Sequence, residues 1–326
     1  MPLAMSAAAT GASSLRSSAP ACSGSLHARR LADESLLVVL LETNAALWEA
    51  PLPAGGVDVA GARSLGFRAV VEQLLVFVNA FLLLNGGNRL ALFALHGDGC
   101  HLVYESPELA PPAPPEADGE AEAAEAAAPA APPPAATAAI AKGLQALAQR
   151  GAAGRGHAAS PLSGALSRAL CYVQRATRGP SPLQPRLLCL HGSADAPAQY
   201  VAVMNAIFCA QSASVPIDAC LLGATESPFL QQAASLTGGV YLRPPRPAAL
   251  LQYLLSVFAA DGASRAALRL PAPRGVDFRA SCFCHKRPVD TGYVCSVCLS
   301  IFCALVDECS TCGTPFPLPA QHAGGG

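Results

Sequence analysis

The chain has 326 residues, 52% of them hydrophobic, and its 21 Lys and Arg nearly balance 22 Asp and Glu. Such a length holds one domain of roughly 200 residues with a small satellite and some disorder. Near-neutral charge provides no broad basic footprint for direct nucleic-acid binding, and no uninterrupted apolar run reaches the ~18 residues of a membrane span.

Residues 1–34 are rich in Ala and Ser, carry Arg16, Arg29 and Arg30, and have no acid before Asp33. We expect a disordered leader there; the same composition also describes an organellar transit peptide. Leu36 to Leu41 is a continuous apolar run, which reads as a central parallel strand buried on both faces. After a Pro/Gly-rich loop at 51–56, the spacing of Val70, Val71, Leu74, Leu75, Val78, Phe81 and Leu82 predicts a helix over 67–84, stopped by Asn85-Gly86-Gly87-Asn88. Residues 89–96 and 100–105 read as strands joined by Gly97-Asp98-Gly99, a hairpin signal. Residues 106–136 are Pro, Ala and Glu-rich with no apolar face to bury, so a disordered insertion is expected.

Alternation resumes beyond the insertion. Helices are predicted at 137–149, 162–178, 196–212, 227–236 and 247–258, and strands at 186–191, 217–222 and 239–242. Helices alternating with short apolar strands imply an α/β fold with a mostly parallel sheet covered on both faces. The boundaries expected are 35–262 for this domain, a linker at 263–277, a cysteine-rich module at 278–318 and a disordered tail at 319–326.

That module holds seven of the thirteen cysteines, between Cys282 and Cys312; the other six are scattered singly. Cys295-x-x-Cys298 and Cys309-x-x-Cys312 lie ten residues apart, a spacing in which two short turns present four thiolates tetrahedrally to Zn²⁺. No secretory signal is read at the N-terminus, and the isolated cysteines sit in apolar segments. A reducing compartment, and hence metal in place of disulfides, is expected. Cys282, Cys284, His285 and Cys303 make a second four-donor set. It fits an interleaved cross-brace in which the first and third ligand pairs share one ion, but the third pair has only Cys303. The alternative is that Cys303 is a buried thiol and the first segment merely packs on the knuckles. A module this small cannot bury enough core alone, so the zinc is read as structural, with no open position for substrate.

Ala234-Ser235-Leu236-Thr237-Gly238-Gly239-Val240-Tyr241 resembles the late helix-to-strand turn of the von Willebrand factor A fold. Leu250 to Leu255, Gln199-Tyr200 with Met204 to Phe208, Ala169 to Tyr172 and the whole block from Cys282 to Cys312 are together similar to the smaller von Willebrand A-type subunits of the transcription and DNA-repair factor TFIIH. The resemblance runs from about Leu36 to Phe316. It implies a nuclear, non-catalytic scaffold in transcription initiation by RNA polymerase II and nucleotide excision repair. The implied partners are the larger von Willebrand A-type subunit and the other core subunits, including the two helicases; contact with DNA would be only indirect.

Metal-binding A domains hold Mg²⁺ with Asp-x-Ser-x-Ser at the end of the first strand. The matching stretch here is Glu42-Thr43-Asn44-Ala45-Ala46, where one position has no oxygen donor, which argues against a metal-dependent receptor. Glu42 and Asn44 are expected to satisfy loop backbone groups instead. His96 and His191 fall at strand ends, where α/β catalytic residues often sit, and His101 and His157 elsewhere. No nucleophile–base pair accompanies any of them, and no phosphate or dinucleotide glycine motif is found, so neither an enzyme nor a small-molecule substrate is expected. Asp195 reads as a helix N-terminal acid. Trp48 reads as a contact anchor or a plug over the fold. A RING-type ubiquitin ligase is the competing function, since a cross-brace module can dock a conjugating enzyme.

Overall fold

The structure is a computed structural model that describes residues 34–43, 65–97, 99–110, 133–151, 160–179, 183–223, 225–271, 275–285 and 288–316. They fall into two compact units, one within Ala32–Asp277 and one within Phe278–Gly326. The expected leader, tail and most of the Pro/Ala/Glu-rich insertion lie outside the described residues, as do Trp48 and His157.

In the first unit, β1 (Ser35–Glu42), β2 (Arg89–His96), β3 (Gly99–Glu105), β4 (Gln184–His191), β5 (Ile217–Leu221) and β6 (Tyr241–Leu242) form one sheet in the order β3-β2-β1-β4-β5-β6. All neighbours are parallel except the hairpin pair β2 and β3. β1 sits at the centre because its whole length is buried. Its alternation divides the core. Leu36, Val38 and Leu40 face the layer of α3 (Leu162–Ala176), α4 (Tyr200–Ser212) and α5 (Pro228–Thr237). Leu37, Val39 and Leu41 face α1 (Phe67–Leu84), α2 (Pro133–Gly151) and α6 (Leu250–Tyr253) with the π-helical turn Leu254–Phe258 that continues it. This is the von Willebrand factor A-like arrangement, a mostly parallel sheet covered on both faces.

α1 is long and apolar enough to cross a membrane by length and composition. Here Val70, Leu74, Phe77, Val78 and Phe81 line one side of it and are buried against the sheet, as a core helix requires. α2 begins four residues before the expected Thr137, at Pro133. Proline is compatible with a first helical turn, whose N–H groups have no intrahelical partner, and Ala136 is already buried.

The Thr237-Gly238-Gly239 turn has a physical account in each residue. Thr237 Oγ1 accepts from Ile217 N at 2.9 Å and donates to Ala233 O at 2.7 Å. Gly238 ends α5 at φ +73°, the left-handed region that favours glycine. A Cβ on Gly239 would stand 2.0 Å from Ile217 O. At the other end of α5, Ser227 Oγ caps Leu230 N and Pro228 occupies the first turn.

Residues 263–277 were expected to be a linker. They begin instead within α7 (Gly262–Ala267), whose Arg265 reaches back into the sheet. Arg265 Nη1 and Nη2 donate to the two oxygens of Asp218, at 2.8 and 2.5 Å. Asp218 lies fully buried in β5 and also accepts from Val240 N at 2.9 Å. Arg186 of β4 stands 3.7 Å from the same carboxylate and donates to Ala260 O. Burial, aided by Arg265 nearby, pushes the Arg186 guanidinium down to about 10 against the pull of Asp218. Two arginines around one buried acid thus fasten the chain after the last large helix to the middle of the sheet. Removing one partner leaves uncompensated buried charge, which costs about 3–5 kcal/mol. We expect Asp218→Asn to lose stability in that range in urea unfolding. A loss below about 1 kcal/mol would show that the cluster is solvated and contributes little.

Candidate metal centre

Among the described residues, two places gather ligand-type side chains. The first is the C-terminal edge of the sheet, where the strands present Glu42, His96 and His191. Glu42 is fully buried. Its Oε2 accepts from Gly192 N at 2.8 Å and Ser193 N at 3.0 Å and lies 2.9 Å from His191 Nδ1, while its Oε1 accepts from Ser193 Oγ. Burial alone would push the Glu42 carboxyl up. The contact and charge of His191, with the bonds from Ser193 and Gly192, outweigh it and hold the group at about 2. Glu42 therefore satisfies loop backbone groups, as its chemistry suggested, and both its oxygens are engaged by the protein. Asn44, Ala45 and Ala46 lie outside the described residues.

The other strand-end groups are also drawn into local bonds. His96 Nδ1 is 3.2 Å from Thr43 Oγ1, which donates to Leu95 O. Asp195 does act as a helix N-terminal acid, but for α5: it accepts from Ser227 Oγ at 2.6 Å and Phe229 N at 2.8 Å. Burial raises its carboxyl above the usual range against those bonds. The sequence signals missed here were the polar residues Arg186 and Asp218 inside apolar strands, which demanded charged partners that spacing could not name.

The second place is the unit after Phe278. β9 (Tyr293–Val294) pairs antiparallel with β10 (Ile301–Phe302), and β7 (Ala280–Ser281) with β8 (Pro288–Val289). Its apolar core is small: Phe302 is packed edge-on against Phe316 at 5.7 Å between centroids, with Phe283 and Val306 beside them. Around that core two donor sets converge, each with its ligand atoms within 4.8 Å of one another. One comprises Cys295, Cys298, Cys309 and Cys312; the other comprises Cys282, Cys284, His285 and Cys303. Cys303 is thus brought to the first segment, with its Sγ 3.1 Å from His285 Nδ1. The segments alternate between sets along the chain, which is the interleaved order, with three donors from the first segment and one from the third.

The two knuckles share one backbone scheme. Cys295 N donates to Ser300 O and Leu299 N to Cys295 O, at 2.9 and 3.0 Å; Cys309 N donates to Thr314 O and Gly313 N to Cys309 O, both at 2.8 Å. The residue after the second cysteine is left-handed in both, at φ +70° for Gly313 and +60° for Leu299. For leucine this conformation costs roughly 1–2 kcal/mol. The hydroxyl and amide of Ser300, with Ser300 Oγ at 3.1 Å from Cys298 Sγ, pull that thiol below its ordinary range, to about 6. In the other set Cys303 N donates to Cys282 Sγ at 3.2 Å. Either set of four can hold a metal ion.

The Glu42 geometry fixes a pH dependence. Its folded value lies below the ordinary 4.5, so its stabilisation is complete above pH ~4.5 and is lost as pH falls through about 2. A shift of that size corresponds to about 3 kcal/mol. The gap between wild type and Glu42→Gln in urea unfolding should be of that order at pH 7 and close between pH ~4.5 and ~2. A gap that does not vary with pH would rule out the ionised carboxylate as its source.

With this geometry established, the chain can be set beside known proteins. The family described as Transcription factor Tfb4 matches residues 34–313. The General transcription and DNA repair factor IIH subunit TFB4 of Arabidopsis thaliana is 42% identical over 285 residues, 87% of this chain and 89% of that protein. General transcription factor IIH subunit 3 of Dictyostelium discoideum is 41% identical over 275 residues, 78% of this chain and 69% of its own length. Among solved structures, the TFIIH p34 N-terminal domain covers 69% of this chain and 97% of its own, at 25% identity and a TM-score of 0.48. The family match takes in both the sheet from β1 onward and the last knuckle cysteine, Cys312, and on that ground the chain belongs to the transcription factor Tfb4 family.

Proposed function

We propose that this chain is a non-catalytic structural subunit of the TFIIH core, acting in RNA polymerase II transcription initiation and nucleotide excision repair through protein–protein contacts. The observation that carries this reading is the family match itself, continuous across the sheet unit and both donor sets. A subunit used only for one of the two units would have no reason to keep the other. On this reading its main partner is the larger von Willebrand A-type subunit, it works beside the helicases in the nucleus, and DNA is reached only through its neighbours.

Zinc is the metal we assign to Cys295, Cys298, Cys309 and Cys312, and a second zinc to Cys282, Cys284, His285 and Cys303. Soft thiolates with an imidazole suit zinc over hard cations. A tetrahedral ion with Zn–S bonds of about 2.3 Å separates its sulfurs by roughly 3.8 Å. Cys295 to Cys312 at 3.6 Å and Cys298 to Cys309 at 3.5 Å are near that spacing. The second set is tighter, with Cys282 Sγ 2.9 Å from Cys284 Sγ. Four protein donors leave no position for water or substrate, so the ions supply folding free energy that the small core cannot. Residues 278–318 are the zinc module, and residues 35–262 with α7 the A-like domain.

Co-expression with the other TFIIH core subunits tests the proposal. The chain should co-purify in stoichiometric amount and carry two zinc ions by elemental analysis. Cys295→Ser should lose one ion and lower recovery in the complex by about an order of magnitude, as the opened site no longer folds its knuckles. Ubiquitin-chain formation by the purified chain with conjugating enzymes, and no assembly, would replace this reading with the ligase.

A further inference from the structure

We propose that Cys284 is an oxidative modification site: hydrogen peroxide attacks it first among the module's cysteines, Cys282 closes a disulfide onto it, and one metal ion is released while the other stays. The inference rests on the reading of both donor sets as zinc sites and assigns them different chemistry. Access and the position of a second sulfur carry it.

The two sets lie in one small unit, so each is a control for the other. In the knuckle set Cys295 and Cys309 are 2% and 1% exposed and Cys298 is half-buried. In the other set Cys284 and His285, neighbours in the chain, are both exposed. A dissolved oxidant selects thiolates by their access to solvent. Cys312 of the knuckle set is exposed too, but Thr314 Oγ1 stands 3.1 Å from its Sγ, and the sulfur facing it, that of Cys295, belongs to the other knuckle at 3.6 Å.

A sulfenic acid becomes a disulfide only where another sulfur is in place to resolve it. Cys282 Sγ is 2.9 Å from Cys284 Sγ, closer than the 3.5 and 3.6 Å between sulfurs that face each other across the knuckles. Phe283, Cys284 and His285 form a turn, which folds Cys284 back toward Cys282. Cys282 itself is fully buried, and Cys303 N donates to its Sγ at 3.2 Å. It is therefore shielded from the oxidant and held beside the residue that is not. The pair divides into an exposed sulfur that is attacked and a buried one that resolves.

The steps balance. The Cys284 thiolate attacks one oxygen of hydrogen peroxide, forming an S–O bond as the O–O bond breaks and hydroxide leaves. The Cys282 thiolate then attacks the Cys284 sulfur, forming the S–S bond as the S–O bond breaks and a second hydroxide leaves. Two thiolates lose two electrons and one peroxide gains them. Of the four donors only His285 and Cys303 remain, too few for a closed tetrahedral site. The tie between the segment 282–285 and Cys303 is lost, while the knuckles keep theirs, and a thiol reductant with zinc restores it by exchange.

The test treats the full chain, co-purified with the other core subunits, with limiting hydrogen peroxide and a colorimetric zinc chelator. One zinc ion per chain should be released, at least about tenfold faster than the second. Trypsin cuts after Arg279 and Lys286, so a Cys282–Cys284 disulfide stays inside peptide 280–286. That peptide should resist alkylation and be lighter by two hydrogen atoms, and dithiothreitol with zinc should reverse both changes. Cys284→His keeps a zinc-type donor without the thiol; it should slow release about tenfold or more. The peptide readout on wild type does not depend on how that variant folds. A cross-link between peptide 280–286 and the peptide carrying Cys303 overturns the pairing. Earlier oxidation of the knuckle cysteines, simultaneous loss of both ions, or no release at all overturns the site. Fewer than two zinc ions before any peroxide is added refutes the underlying zinc reading instead, and that result precedes the oxidation step.

Discussion

Six apolar side chains in a row, Leu36 to Leu41, have to be covered from both sides at once. A strand of that kind cannot sit at an edge or face water on one side. Most of the first unit follows from that demand. β2 and β4 close its two hydrogen-bonding edges, and helices arrive in two layers, one for each set of alternating side chains. Even the end of the strand obeys it. Glu42 continues β1 into the buried region and is accommodated only because the β4 loop supplies two amides, a hydroxyl and an imidazole to its carboxylate.

The second unit answers the opposite problem. With Phe302 as the one fully buried large side chain among its described residues, it has too little apolar area to offset the entropy of ordering its residues. Its structure is organised by two sets of donors and by backbone bonds to and around the cysteines. Strand pairs of two residues each are not independently stable, so what holds them is the convergence of the side chains between them.

Much of this was legible in the sequence because it depends on local periodicity. Strand β1 and helix α1 were read almost residue for residue, since a continuous apolar run and a 3.6-residue repeat each have one reading. Both donor sets were legible too, because spacing of cysteines constrains geometry directly; what the sequence left open was whether Cys303 joins its set, and the fold brings it there. The failures were non-local. Residues 263–277 looked like a linker because nothing near Arg265 explains it, its partner Asp218 being 47 residues earlier. His191 and Glu42 lie in separate strands, and only the parallel pairing of β1 with β4 brings them together. Asp195 was rightly read as a helix-end acid, yet the helix it caps begins at Pro228. The strain at Leu299 is a backbone angle, which composition does not encode, although the mismatch between Cys298-Leu299 and Cys312-Gly313 was there to compare.

The central pairing also sets an order in time. Glu42 bonds to an amide 150 residues further along the chain, and β4 pairs with β1 over the same separation. At synthesis rates of about 5–20 residues per second, β1 waits roughly 8–30 s after its own emergence before that partner exists. In that interval β2 can close one edge and α1 one face, while the other edge of the most apolar strand in the unit stays unpaired. Contacts of such high separation fold slowly and leave the intermediate prone to association. The chain's greatest vulnerability to aggregation therefore lies in the half-made sheet, before α3 and β4 have left the ribosome.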